Sequence, residues 1–241
     1  MKKRLDQILV EKKFFDTRSR AQAAISLGDI FVDGQKVDKA GAQISQNSKI
    51  ENRGKINKYV GRGGLKLEEA LKEYQINVKD KVCLDVGAST GGFTDCLLKN
   101  GAKNVYALDV GYGQIDWKLR TDPRVVVIER QNIRDFNSDR LFDLATIDVS
   151  FISLTKVLPN VSNLLKNNGE IIALIKPQFE AKRAEVGKGG IVKDEAVHAG
   201  IIEKISVFAK ELGLYPKRVV PSPITGADGN KEFLIWITKQ E

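Results

Sequence analysis

The sequence predicts an α/β fold: a mostly parallel, doubly wound sheet preceded by a small, basic α+β segment. Three observations point there. From residue 81 onward, short and continuously apolar runs alternate with helical stretches, the pattern of strands covered on both faces by crossover helices. Before residue 60 the order differs, with two short helices and then strand, turn and strand. The third observation is charge. Residues 1–60 hold 13 Lys/Arg and 7 Asp/Glu, a balance of +6, whereas residues 61–241 hold 26 and 24, a balance of +2. One quarter of the chain therefore carries three quarters of the excess charge, the footprint of a polyanionic partner. The expected domains are 1–60 and 61–241.

The elements follow in order. Leu5, Ile8, Leu9 and Val10 recur at helical spacing, so a short amphipathic helix is expected over 4–13. Asp16 or Thr17 caps a second helix over 18–27, with Ala21, Ala24, Ile25 and Leu27 inward and Gly28 as its stop. Arg18 and Arg20 stand at its start, where the macrodipole disfavours cations, so a ligand role is expected for them. Ile30 to Val37 reads as strand, Asp33-Gly34 turn, strand. Ile44 and Ile50 mark further short strands. Residues 53–64 are basic and glycine-rich and read as a linker without core. A helix over 65–74 is expected to bury Leu65, Ala70 and Leu71.

Strands are then expected at 82–86, 105–110, 125–128, 144–148, 170–175, 219–220 and 233–238. Helices are expected at 94–100, 153–166 and 195–212. Residues 180–194, with Lys182, Arg183 and Lys188 among glycines, read as a mobile loop able to close over a substrate.

Several function classes are disfavoured. No apolar run approaches the roughly 18 residues of a membrane span, and Asp6, Gln7 and Glu11 interrupt any signal-peptide core. A cytoplasmic location and no membrane partner are expected. Cys83 and Cys96 offer neither metal spacing nor a disulfide framework. The single histidine, His198, makes a Ser-His-Asp triad improbable and a multi-histidine metal site impossible, so no metal is expected.

The first strand of the large domain runs into Asp85-Val86-Gly87-Ala88-Ser89-Thr90-Gly91-Gly92-Phe93 and then a helix. Small residues there let backbone approach a ligand at the mouth of the sheet. The spacing is not G-x-G-x-x-G, so the pyrophosphate fingerprint is lacking. Asp109 ends the next strand, placed to accept ribose hydroxyls. Asn132-Ile133-Arg134-Asp135 follows the third, where an adenine edge would lie. This turn resembles motif I of S-adenosylmethionine methyltransferases, whose cofactor is cationic and carries no phosphate. S-adenosylmethionine is therefore the expected cofactor, held by Asp85, Gly87, Ala88, Ser89, Gly91, Gly92, Phe93, Asp109, Asn132, Ile133 and Asp148.

Four segments extend the resemblance: Lys58–Leu67 (KYVGRGGLKL), Asp85–Thr94 (DVGASTGGFT), Ile147–Leu154 (IDVSFISL) and Ile175–Glu180 (IKPQFE). Together they resemble the TlyA family, often labelled hemolysin A, of ribosomal RNA 2′-O-methyltransferases. The resemblance implies an αL-type RNA-binding domain over residues 3 to about 50 and an FtsJ-type, Rossmann-like methyltransferase from about 60 to 240. Gly61 stands where many relatives are expected to have serine.

The FtsJ-type Lys-Asp-Lys-Glu tetrad falls on Lys66, Asp148, Lys176 and Glu232, with Glu68, Glu69 and Glu180 as other carboxylates near the motifs. The chemistry suits them. A ribose 2′-hydroxyl is a poor nucleophile, and much of its methylation is positioning. A lysine takes its proton only if burial or a second cation makes the amine more acidic. Lys176 is expected to steer or deprotonate the hydroxyl, with the other three arranging it. Phe151 is expected to stack on the target base, as aromatics do on splayed RNA bases. The RNA-contact set is Arg4, Arg18, Arg20, Lys36, Arg62 and Phe151, and the implied partner is ribosomal RNA or a ribosomal subunit. A cytidine in 23S rRNA is the first expectation and 16S rRNA a further one. The competing readings are an RNA-binding protein with a vestigial methyltransferase domain, and a hemolysin as the family label suggests.

Overall fold

The computed structural model describes residues 2–15, 17–52, 58–226 and 229–240; for residues 19, 20, 23, 26 and 27 it describes the backbone alone. The chain divides into two compact units, Met1–Lys58 and Tyr59–Glu241.

The first unit runs β1 (Lys2–Arg4), α1 (Leu5–Glu11), α2 (Arg18–Leu27), β2 (Ile30–Val32), β3 (Gln35–Lys36), β4 (Gln43–Ser45) and β5 (Ile50–Asn52). Its core gathers Leu5 and Leu9 from α1, Ala21, Ala24 and Ile25 from α2, and Ile30 and Val32 from β2. The Asp33-Gly34 turn has positive φ at both residues, as a tight primed hairpin requires. β2 pairs antiparallel with both β3 and β5. β1 is a strand that the sequence does not announce. It is three charged residues long and exists by pairing with β4, so the helix expected from residue 4 starts at Leu5.

The second unit runs α3 (Gly63–Tyr74), β6 (Val82–Val86), α4 (Gly92–Lys99), β7 (Asn104–Leu108), α5 (Trp117–Arg120), β8 (Val125–Ile128), β9 (Phe142–Ile147), α6 (Leu158–Asn163), β10 (Leu165–Ile175), α7 (Pro177–Glu180), α8 (Glu195–Glu211), β11 (Leu214–Pro221) and β12 (Phe233–Lys239). The sheet order is β11-β12-β10-β9-β6-β7-β8. β6 to β10 are parallel, and β12 inserts antiparallel between β10 and β11. Every residue of β6 is buried, and successive residues serve opposite cores, Cys83 one and Leu84 the other. Strand order reverses between β6 and β9, which opens a crevice at their carboxyl ends.

Four expectations are corrected here. The stretch read as a coreless linker ends in structure: Tyr59 is buried, and α3 begins at Gly63. A side chain at Gly64 would overlap the Tyr59 ring, so the glycine is what admits the aromatic. Leu65 is exposed; the buried stripe is Leu67, Ala70, Leu71 and Tyr74, spaced three and four apart. The helix expected over 153–166 breaks into a 3₁₀ turn, Leu154–Lys156, and α6. Pro159 in the first turn of α6 lacks the N–H that a continuous helix needs. Finally, residues 180–194 are tied down. Asn230 donates to the Gly190 carbonyl (2.9 Å) and accepts from the Val192 amide (3.0 Å), and Gly187 N donates to Ile191 O (3.0 Å).

Candidate active site

The glycine turn leaves β6 at the switch point. Gly87 has φ +83° and Gly91 φ +95°, conformations that side chains disfavour. A Cβ at Gly87 would overlap the carbonyl oxygen of Asp148, and one at Gly91 the side chain of Leu119. The register explains the first overlap: Val86 pairs with Ile147, and Asp148 N donates to Val86 O (2.9 Å), so Gly87 and Asp148 leave the sheet side by side. Between them lies a cleft of about 120 Å³ lined by Gly63, Gly87, Ala88, Ser89, Thr90, Gly92, Phe93 and Asp148. Six of these are expected site residues. Gly63 and Thr90 are additions from α3 and the turn, and nothing local in the sequence marks Gly63.

Asp85 departs from its expected place. Its carboxylate is fully buried below the turn, accepting from Thr94 Oγ1 on α4 (2.6 Å) and Thr146 Oγ1 on β9 (2.9 Å). Burial pushes its pKa up to about 6, against the lowering effect of the two hydroxyls. It supports the turn and does not line the cleft.

Asp109 follows β7 and is half-buried. One carboxylate oxygen accepts from Ser89 N (2.7 Å), the other from Gly111 N (2.7 Å). The glycine turn and the loop after β7 are thus joined through one side chain. Ser89 Oγ adds a 3.2 Å bond to Gln114 on that loop. Glu129 accepts from Gly113 N (2.7 Å) and pairs with Arg120 (2.5 Å), holding the loop from below. Gln131 N donates to Asp109 O (3.1 Å), which brings the segment after β8 alongside. There Asn132 caps a 3₁₀ turn by accepting from Arg134 N (3.0 Å), and Ile133 is buried. Backbone that no side chain could share, an acidic residue and an apolar floor fit a nucleoside with a cationic sulfonium tail.

The four expected tetrad residues form two ion pairs. Lys176 caps α7, and Pro177 keeps it extended, so its side chain leaves the end of β10 toward β9. Its ammonium lies 2.6 Å from Asp148 Oδ1 and donates to Ser150 Oγ (3.0 Å). The Asp148 contact is a charge contact, without hydrogen-bond alignment. Lys66 and Glu232 are both buried and pair with each other. Ile175 pairs with Phe233, so Glu232 stands one step beyond the ladder, beside Lys176. Gly63, one turn before Lys66, has its missing Cβ 3.8 Å from Asp148 Oδ2. The two pairs therefore border one site at the carboxyl end of the sheet.

Phe151 is 90% exposed, the most exposed large apolar side chain described, and has φ +62°. A bulky residue in that region is an outlier. Its ring lies 4.9 Å from that of Phe179 on α7. Phe179 and Ser150 were not expected; their roles depend on neighbours across two strands. Arg62 is exposed beside the cleft at the start of α3. In the first unit, Arg4 and Arg18 both reach the buried Asp6 carboxylate, at 3.0 and 2.9 Å, and Gln22 donates to it at 2.8 Å. These cations hold the Asp6 carboxyl well below the usual range. Lys36 is exposed on β3. The Arg20 side chain lies outside the described residues. Among the described residues no helix is long and apolar enough to cross a membrane, and no group of His, Cys, Asp and Glu is arranged to hold a metal.

Comparison with known proteins places this geometry. Residues 59–239 match the FtsJ-like methyltransferase family and residues 3–50 the S4 domain. A 16S/23S rRNA (cytidine-2′-O)-methyltransferase, TlyA, of Mycobacterium tuberculosis is 39% identical over 98% of this chain and 90% of its own. Hemolysin A of Brachyspira hyodysenteriae is 46% identical over 96% and 98%. A solved chain from Streptococcus thermophilus that carries a hemolysin name superposes with TM-score 0.79 at 41% identity, covering 100% of this chain and 89% of that one. The N-methyltransferase NodS of Bradyrhizobium japonicum, solved with S-adenosyl-L-homocysteine, shares the fold alone, with TM-score 0.53 at 15% identity over 73% and 87%. The chain belongs to the FtsJ-like methyltransferase family, carries an S4 domain ahead of that fold, and uses S-adenosylmethionine as its methyl donor.

Proposed function

We propose that this protein methylates the ribose 2′-hydroxyl of a cytidine in ribosomal RNA, with 23S rRNA the first candidate and 16S rRNA the second. The observation that supports it most is the meeting of three features at the carboxyl ends of β6, β9 and β10. They are the glycine-lined cleft, the Lys176–Asp148 ion pair, and the exposed Phe151 ring. Substrate identity rests on the relative from Mycobacterium tuberculosis and on the S4 domain. Such an enzyme meets ribosomal subunits in the cytoplasm.

When bound, S-adenosylmethionine supplies an electrophilic methyl group. The chain's own residues do the rest. Gly87, Ala88, Ser89, Gly91, Gly92 and Phe93 shape the cleft, and Asp109, Asn132 and Ile133 bound its far side. Phe151 receives the base of the exposed nucleotide. Lys176 orients the 2′-oxygen by donating to it from the ammonium that pairs with Asp148, and the hydroxyl proton leaves to water as the new C–O bond forms. Asp148 fixes the amine at 2.6 Å, and the Lys66–Glu232 pair walls the site from the α3 side. Arg4, Arg18, Arg20 and Lys36 contact phosphates and set register, while Arg62 contributes from the cleft rim.

The test is transfer of labelled methyl from S-adenosylmethionine to ribosomal subunits from a strain lacking this gene, with wild type beside Lys176→Ala. Label in RNA for wild type alone, with one position made resistant to alkaline cleavage, is the expected result. Cofactor binding without label on any RNA would sink the proposal in favour of a vestigial domain.

A further inference from the structure

We propose that Glu180 is a positioning residue for the target nucleotide, locking the Phe151 loop onto the turn that carries Lys176. The inference rests on the functional reading above and deepens it.

Glu180 ends α7, four residues after Lys176, and its carboxylate is buried. Both oxygens are directed at the segment after β9. One accepts from Leu154 N and the other from Ser153 Oγ, each at 2.6 Å. Lys204 of α8 stands 3.6 Å behind and is half exposed, so it softens the charge without being part of the clamp. The segments after β9 and β10 are thereby joined at three successive levels. Lys176 meets Asp148 and Ser150, Phe179 meets Phe151, and Glu180 meets Ser153 and Leu154.

The Glu180 level is stronger than the ring contact, because a carboxylate accepting two short bonds in a buried place holds its donors better than a tilted ring contact. The middle level needs that support. Phe151 keeps a left-handed backbone with its ring almost wholly in solvent, a state that persists only where the surroundings over-determine it. Lys176 holds the loop at Ser150, on one side of Phe151, and Glu180 fixes it on the other at Ser153 and Leu154. Glu180 acts through Phe151 and Lys176.

A double-mutant cycle tests this in the full chain. Glu180→Ala and Phe151→Ala are each expected to lower kcat/KM for ribosomal RNA by roughly 10- to 100-fold, the scale of a misplaced positioning group. Together they are expected to cost no more than about 3-fold beyond either alone. Affinity for S-adenosylmethionine is expected to stay within about 2-fold of wild type. Glu180→Gln retains an acceptor for Leu154 N and is expected to recover most of the loss.

Should Glu180→Ala not fold, Ser153→Ala removes one of the two bonds from the loop side and is expected to show a smaller loss, again non-additive with Phe151→Ala. Amide hydrogen exchange gives an arm independent of activity: faster exchange in Glu180→Ala or Ser153→Ala is expected to be confined to residues 149–155. Additive losses, a matching fall in cofactor affinity, or unchanged exchange over 149–155 would each overturn the proposal. A wild-type enzyme that binds cofactor yet labels no RNA would overturn the functional reading instead, and the exchange result would still decide the role of Glu180.

Discussion

At Asp85, burial and hydrogen bonding act in opposite directions, and burial prevails: the pKa rises from 3.8 to about 6. The folded chain then holds a proton that the unfolded chain has released. The associated stability is complete below about pH 4 and is lost as pH rises toward 6, a loss of order 3 kcal/mol. Asp85→Asn removes the titration and keeps hydroxyl partners, so its thermal midpoint is expected to be flat between pH 4 and 6 where wild type falls. Equal slopes in thermal melts would show that Asp85 is not the group responsible. The Lys66–Glu232 pair separates stability from catalysis in the same way. Lys66→Ala strands a buried carboxylate and is expected to cost about 3–5 kcal/mol. Replacing both residues, as Lys66→Met with Glu232→Leu, is expected to return most of that stability while turnover stays lost. Chemical denaturation and methyl transfer measured on the same samples would distinguish the two effects.

At the scale of elements, the turn after β6 owes its shape to what surrounds each glycine. Gly87→Ala would press against the Asp148 carbonyl, which is held by β9 and cannot yield. Cofactor affinity and turnover are both expected to fall more than about 10-fold, because Asp148 moves with it. Gly113 also has positive φ but meets nothing within 4 Å. Gly113→Ala is expected to cost only about 1 kcal/mol of backbone strain, and calorimetry with cofactor titration checks both variants.

The same contrast marks what the sequence discloses. The apolar runs that become β6 to β10, the Asp33-Gly34 hairpin and the glycine turn are legible because each carries its own local signal. Lys176 and Asp148 are legible at strand ends. The clamp made by Glu180, the Ser150 contact and the Phe179 ring are not, since they arise where two loops from adjacent strands meet. Asp85 reads as a cofactor contact because its neighbours in sequence line the cleft. Its burial follows from its place inside β6, where both faces are covered and the pleat turns Asp85 to the face on which Thr94 of α4 lies. Leu65 misleads because it is apolar but stands five and six residues before Ala70 and Leu71, off their face, whereas Leu67 stands three and four before them.

For the molecule as a whole, the uneven charge predicts a division of labour that salt can expose. The excess of cations sits in the first 60 residues, and the cleft lies wholly within the second unit. Phosphate contacts release counterions, so each lost contact lowers the slope of log affinity against log salt by just under one on a duplex and by about 0.7 on single strands. Arg4 and Arg18 share the buried Asp6 and keep half their side-chain surface in solvent, a preorganised pair for one or two phosphates. Arg4→Ala with Arg18→Ala, made together with Asp6→Asn so that no buried carboxylate is stranded, is expected to weaken RNA binding at 50 mM salt and to reduce the slope by about 0.7 to 1.8. S-adenosylmethionine affinity is expected to be unchanged at every salt concentration. Lys176→Ala is expected to show the reverse, losing turnover with the RNA slope of wild type, because Lys176 keeps only 12% of its side-chain surface in solvent, against about half for Arg4 and Arg18. Binding isotherms across a salt series, read beside methyl-transfer rates, separate docking from chemistry. A slope that falls equally in Lys176→Ala would mean that RNA is held chiefly at the cleft, and that the cationic first unit serves some other polyanion.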